Sequence, residues 1–141
     1  MEFSKRSKEQ LKTCHKDLQL IANTAINVSR IDFGISEGHR SIEKQTEYYN
    51  QGKSKVDGIK RKGKHNHEPS MAFDIYAFVD GKAVWETKHL CYLGGLLVGI
   101  AEILYQDGEI EHKLRWGGNW DMDGEIISDQ TFQDLPHFEL I

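Results

Sequence analysis

The chain has 141 residues, 38% of them hydrophobic and 28% charged, with a formal net charge of -4. A chain of this length buries ~70% of its unfolded surface, so residues 1–141 are expected to form a single domain that folds without disulfide or metal. The acidic balance argues against nucleic acid as a partner. The two cysteines, Cys14 and Cys91, lie far apart and outside any C-x-x-C pattern, which suits buried helix cysteines in a reducing compartment.

Met1-Glu2-Phe3-Ser4-Lys5-Arg6 has no apolar segment behind it, so no signal peptide is expected and the chain is read as made in the cytosol. The longest apolar run, Leu90 to Ala101, is too short for a bilayer. Its Gly95-x-x-x-Gly99 spacing suggests close helix packing inside a soluble core. No stable membrane insertion is expected, and the protein is read as a monomer.

In chain order, Ser7-Lys8-Glu9-Gln10 fits a capping box. Leu11, Cys14, Leu18, Ile21, Ala22, Ala25 and Val28 then recur at helical spacing, predicting one amphipathic helix over about residues 8–28. His15 reads as a surface residue. Ile31, Phe33 and Ile35 alternate with polar or small residues as in a half-buried strand. Ser41 can cap a short helix through Gln51, which leaves Arg40 at a strand-to-helix junction where side chains face a cleft or form a salt bridge. From Gly52 to Lys64 the chain is glycine-rich and basic. This loop is either a solvated surface or a rim that attracts polyanions. Asp74–Val79 and Lys82–Trp85 form a hairpin about Asp80-Gly81. A helix follows over 87–106, then a strand at Leu114-Arg115-Trp116 and a last strand from Pro136 to Ile141. Helices ahead of and between antiparallel strands predict an α+β fold, a small antiparallel sheet with flanking helices.

Two stretches carry chemistry. Gly63-Lys64-His65-Asn66-His67-Glu68-Pro69-Ser70-Met71-Ala72-Phe73-Asp74 sets two imidazoles and a carboxylate around a Pro-Ser turn, and Asp134-Leu135-Pro136-His137-Phe138-Glu139 adds a third imidazole between carboxylates. Histidine nitrogens with a carboxylate oxygen are a donor set for a catalytic zinc, which takes three protein ligands and leaves a fourth position open. A peptidase also needs a general base, and Asp134 stands three residues before His137, near a ligand without having to be one. His137 and Glu139 project from one face of a strand, so Glu139 can orient the imidazole. Separately, Asn119, Asp121, Asp123, Gly124 and Ile126 follow the first eight positions of a calcium loop. Position twelve is Gln130 instead of glutamate, and an acidic solvated turn is the alternative reading.

These stretches resemble the peptidoglycan metallopeptidases of the D-Ala-D-Ala carboxypeptidase and L-alanyl-D-glutamate endopeptidase family, above all the small phage endolysins. The family pattern S-x-H-x-x-G-x-A-x-D is matched at Ala72 and Asp74, and its terminal acid and H-x-E at Asp134, His137 and Glu139. From Lys64 onward the chain fits the phage variant K-H-N-x-x-P-S-x-A-x-D. Gly38-x-Arg40 followed by Gln45 is similar to the family's arginine segment, and Leu114-Arg115-Trp116-Gly117-Gly118-Asn119-Trp120 to the strand and turn before its last motif. The resemblance implies a hedgehog/D-Ala-D-Ala-peptidase-like fold. It implies zinc held by His65, Asp74 and His137, with His67 as first ligand if the shorter spacing applies. Asp134 is then the base that activates water, and Arg40 acts with zinc on the oxyanion. The implied activity is cleavage of the L-alanyl-D-glutamate bond of bacterial peptidoglycan during host lysis. Such an enzyme waits in the host cytoplasm until a membrane lesion releases it to the wall, where the basic loop supplies affinity. A D-Ala-D-Ala carboxypeptidase or dipeptidase, and an inactive zinc-containing wall-binding module, are the competing expectations. An intact Asp134 argues against the module.

Overall fold

The computed structural model describes residues 1–141. Where one helix is expected over 8–28, two form: α1 at Lys5–Leu11 and α2 at Lys16–Val28. A tertiary bridge makes the break. Ser70 lies beside Cys14, donating its N–H to the Thr13 carbonyl and accepting the His15 N–H. His15 is therefore no idle surface residue, since its Nδ1 caps α2 by accepting the Asp17 N–H at 3.0 Å. Ser4, not Ser7, caps α1. Ser7 is buried, and its hydroxyl accepts the Ile35 N–H.

The remaining elements are β1 at Asp32–Glu37, α3 at Ile42–Asn50, a 3₁₀ turn at Lys64–Asn66, β2 at Ala72–Val79, β3 at Lys82–Val84, α4 at Thr87–Gln106, β4 at Leu114–Gly117 and β5 at Asp134–Leu140. Ser41 caps α3 as expected. The sheet runs β1-β2-β5-β4, with β3 on the far half of β2, and every pairing is antiparallel. The α+β expectation holds. One sheet face carries Phe33, Ile35, Phe73, Ile75, Phe138 and Leu140 into a core closed by Leu18, Ile21 and Ala25 of α2 and Leu90, Leu93 and Leu97 of α4. Alternation then sends Asp74 and His137 to the other face, and the register shift between Ile35 and Glu37, which brings Glu37 opposite Asp74, turns Glu37 there as well.

Helix α4 has the length and apolar composition to cross a membrane, with mean hydropathy 1.3. Here it is the core helix, packed on α2 and the sheet. Gly95 and Gly99 have open space around them, contrary to the expected helix packing. Gly94 makes the close contact instead, since a Cβ there would lie 2.5 Å from the Trp116 ring. Both cysteines are free, Cys14 buried in the α1–α2 break and Cys91 half-buried on α4.

Candidate metal centre

Register builds the site. Asp74 on the central strand pairs with Glu37 of β1 on one side and with His137 of β5 on the other. Three strands thus set a row of polar side chains across one sheet face. His65 reaches the row from the 3₁₀ turn, which is tied down when its carbonyl accepts the Arg40 N–H and Asn66 Nδ2 donates to the Arg40 carbonyl. His65 Nε2 lies 3.2 Å from Asp74 Oδ1, and His137 Nδ1 lies 3.1 Å from the same oxygen.

The outward nitrogens decide what the inward ones are. His65 Nδ1 stands 2.7 Å from the Gly38 carbonyl, and His137 Nε2 stands 2.8 Å from Glu139 Oε1. Neither oxygen can donate, so both outward nitrogens carry the hydrogen. In the neutral rings the inward nitrogens are lone pairs, and both face a carboxylate. Such an arrangement holds together only around protons or a cation. Metal-bound histidines are oriented by this kind of outer hydrogen bond, and bonds of ~2.0–2.1 Å to a tetrahedral zinc set donors about 3.3 Å apart. The three donor atoms lie within 4.8 Å of one another, close enough to share one ion.

The electrostatics agree. Burial opposes charge on His137, yet hydrogen bonds to Asp74 and Glu139 push its pKa up to about 10. Burial also opposes ionisation of Asp74, but the His65 and His137 rings hold its carboxyl well below the usual range. Glu139, likewise desolvated, is held down to about 2 by His137 and Arg115. Asp134, at the start of β5, moves the other way. Burial first, and then the Asp74 charge, push its carboxyl up. Backbone contact fixes its position, because a Cβ at Gly117 would meet the Asp134 carbonyl at 2.0 Å.

A family model described as phage L-alanyl-D-glutamate peptidase matches residues 1–141. The chain belongs to that family. It is 28% identical to the L-alanyl-D-glutamate peptidase of Escherichia phage T5, over 99% of this chain and 98% of that one. It is 31% identical to the peptidoglycan L-alanyl-D-glutamate endopeptidase CwlK of Bacillus subtilis, over 79% of this chain and 62% of the relative. The crystal structure of the Serratia marcescens L-Ala D-Glu endopeptidase ChiX superimposes with a TM-score of 0.77 at 28% identity, covering 100% of this chain and 90% of that one.

In this family member the donors open onto a cleft of about 470 Å³ that also contains Arg40, Asp134 and Glu139. Arg40 is nearly buried. Its guanidinium donates to Glu37 Oε1 and, at 2.9 Å, to Gln45 Oε1, and lies 3.8 Å from Asp74 Oδ2. His67 ends the 3₁₀ turn, exposed and outside the cluster. Of the calcium-loop residues, Asp121 and Asp123 converge, but their third partner is Asp129. Asn119 instead donates its amide to the Asp123 carbonyl.

Sequence reasoning missed Glu37 and Arg115. Arg115 pairs with Glu139 at 2.7 Å, a contact that only strand register reveals. It also missed a second group, His15, Asp17 and His112. There Asp17 Oδ2 accepts the Glu111 and His112 N–H groups and His112 Nδ1. With His15 Nδ1 spent as a cap, these donors already satisfy one another. They clip α2 to the segment ahead of β4.

Proposed function

We propose that the protein is a zinc-dependent endopeptidase that hydrolyses the L-alanyl-D-glutamate bond of bacterial peptidoglycan, as a phage lytic enzyme. The observation that carries the metal assignment is the pair of inward imidazole lone pairs, from His65 and His137, meeting at Asp74 Oδ1. These three residues are the ligands, and His67 is not one. Bound there, zinc supplies a Lewis acid and acidifies water to a pKa of ~7. The relatives' names supply the bond, since all three carry L-alanyl-D-glutamate specificity.

The chain's own groups do the rest. Asp134 takes a proton from the attacking water and passes it to the leaving amine, a role suited to a carboxyl whose pKa is raised towards the working pH. Arg40, locked by Glu37 and Gln45, presents a fixed positive charge to the developing oxyanion. Glu139 and the Gly38 carbonyl hold the two rings in the required tautomers. The protein acts as a monomer, waits in the host cytoplasm and meets the wall after the membrane is breached. Calcium at Asp121, Asp123 and Asp129, whose exposed carboxylates lie together on one loop, is a separate proposal. Chelation should abolish wall hydrolysis, and zinc should restore it. Full activity in a preparation free of metal by elemental analysis overturns the reading. Calorimetry with zinc in place tests calcium, and no heat at millimolar calcium removes that site.

A further inference from the structure

The cleft is lined by groups of opposite sign from two sources. Asp74, Asp134 and Glu139 come from the sheet, and Lys53, Lys55, Arg61 and Lys64 come from the basic loop of residues 52–64, whose last residue opens the 3₁₀ turn. The protein's lysine and arginine ion pairs use Lys8, Arg40, Lys44, Lys88 and Arg115, so the four loop cations have no acidic partner. Aromatic rings hold two of them in place. The Lys53 ammonium lies 5.6 Å from the Tyr48 ring centre, and that of Lys55 lies 5.0 Å from Phe132, on the segment opposite. These heads are positioned without being neutralised, as expected of groups that await an anion.

The proposed substrate has such an anion. In an L-alanyl-D-glutamate unit of a wall peptide, the scissile nitrogen sits on the D-glutamate α-carbon, and the chain continues through the side-chain carboxyl. The α-carboxylate on that same carbon is therefore free. Brought beside Asp74, Asp134 and Glu139 it is repelled, unless a cation faces it from the other wall. We propose that Lys53, Lys55 and Arg61 bind the free carboxylates of the stem peptide, the D-glutamate α-carboxylate foremost. The enzyme then selects acidic stems over those amidated to D-isoglutamine. This inference rests on the endopeptidase reading and adds a specificity to it.

The test compares two synthetic stem peptides that differ only in D-glutamate or D-isoglutamine. They are hydrolysed by the zinc-loaded wild type and by a Lys53→Gln, Lys55→Gln, Arg61→Gln triple variant. Zinc content and circular dichroism verify that the variant is folded. The wild type should favour the free acid about tenfold in kcat/KM, mainly through KM, a difference equivalent to ~1.4 kcal/mol. Added salt should shrink that preference. The triple variant should hydrolyse both peptides at the wild type's isoglutamine rate. Equal hydrolysis of the two peptides by the wild type, or a preference that survives in the variant, overturns the proposal and leaves the endopeptidase reading intact. If the variant loses only retention on intact walls, the cations serve anionic wall polymers and the proposal also fails. If zinc-loaded wild type cuts neither peptide, both readings fall together.

Discussion

Replacing Glu139 with glutamine tests how the outer hydrogen bonds hold the metal centre. The carboxylate stands between two donors, His137 Nε2 at 2.8 Å and Arg115 Nη2 at 2.7 Å. Glutamine keeps the volume and one acceptor oxygen. Its amide nitrogen must then face either the imidazole N–H or the guanidinium, so a donor meets a donor in a buried position. Either His137 turns or Arg115 withdraws, and the ring loses the negative charge that raises its basicity. Loss of such a partner costs ~10–100-fold in metal affinity, about 1.4–2.7 kcal/mol. Competition against a chromophoric chelator at neutral pH measures it. Arg115→Gln is the comparison. It leaves the carboxylate on His137 and should weaken zinc by less, because the arginine is about one-third exposed. Unchanged zinc affinity in Glu139→Gln refutes the claim that this carboxylate holds the ligand.

Asp134→Asn should keep about one zinc per chain and lose ~10²–10⁴-fold in turnover, whereas His65→Ala and His137→Ala lose metal and activity together and His67→Ala keeps both. Elemental analysis beside a wall-lysis assay separates these outcomes. In the metal-free protein, His137 stabilises the fold fully below its ordinary value of 6.5 and loses that contribution as pH rises through about 10. Glu139 contributes above its ordinary 4.5 and loses it as pH falls through about 2. The urea midpoint under chelation should therefore decline on the alkaline side of 6.5, while zinc, which competes with protons for the same nitrogens, offsets that decline. Gly94→Ala should cost ~1–3 kcal/mol by overpacking against Trp116. Gly95→Ala, with open space around it, should instead stabilise by ~0.5–1 kcal/mol, both read by calorimetry.

Local signals survived into the structure where they were sufficient by themselves. The apolar run with polar flanks became α4 at Thr87–Gln106. Asp80-Gly81 became the β2–β3 turn, with φ of 52° and 78° at its two residues. The candidate metal centre was legible as two motifs because strand alternation puts His137 and Glu139 on one face. What could not be read depends on long-range partners. Nothing between Leu11 and Lys16 breaks a helix, since the break is made by Ser70, far along the chain. Asp129 lies outside the alternating pattern and reaches Asp121 and Asp123 through the course of its loop. Arg115 joins Glu139 because β4 and β5 pair those two positions, a register that composition does not encode. Gly95-x-x-x-Gly99 misled because spacing identifies a smooth helix face without saying whether anything covers it.

Mass spectrometry of purified cell-wall fragments, after digestion by the zinc-loaded protein, tests the central claim most directly. New peptides beginning with D-glutamate or D-isoglutamine, absent when the metal is chelated, are the predicted result. Released D-alanine with intact L-alanyl-D-glutamate bonds, or no new product from protein that carries its zinc, would contradict it.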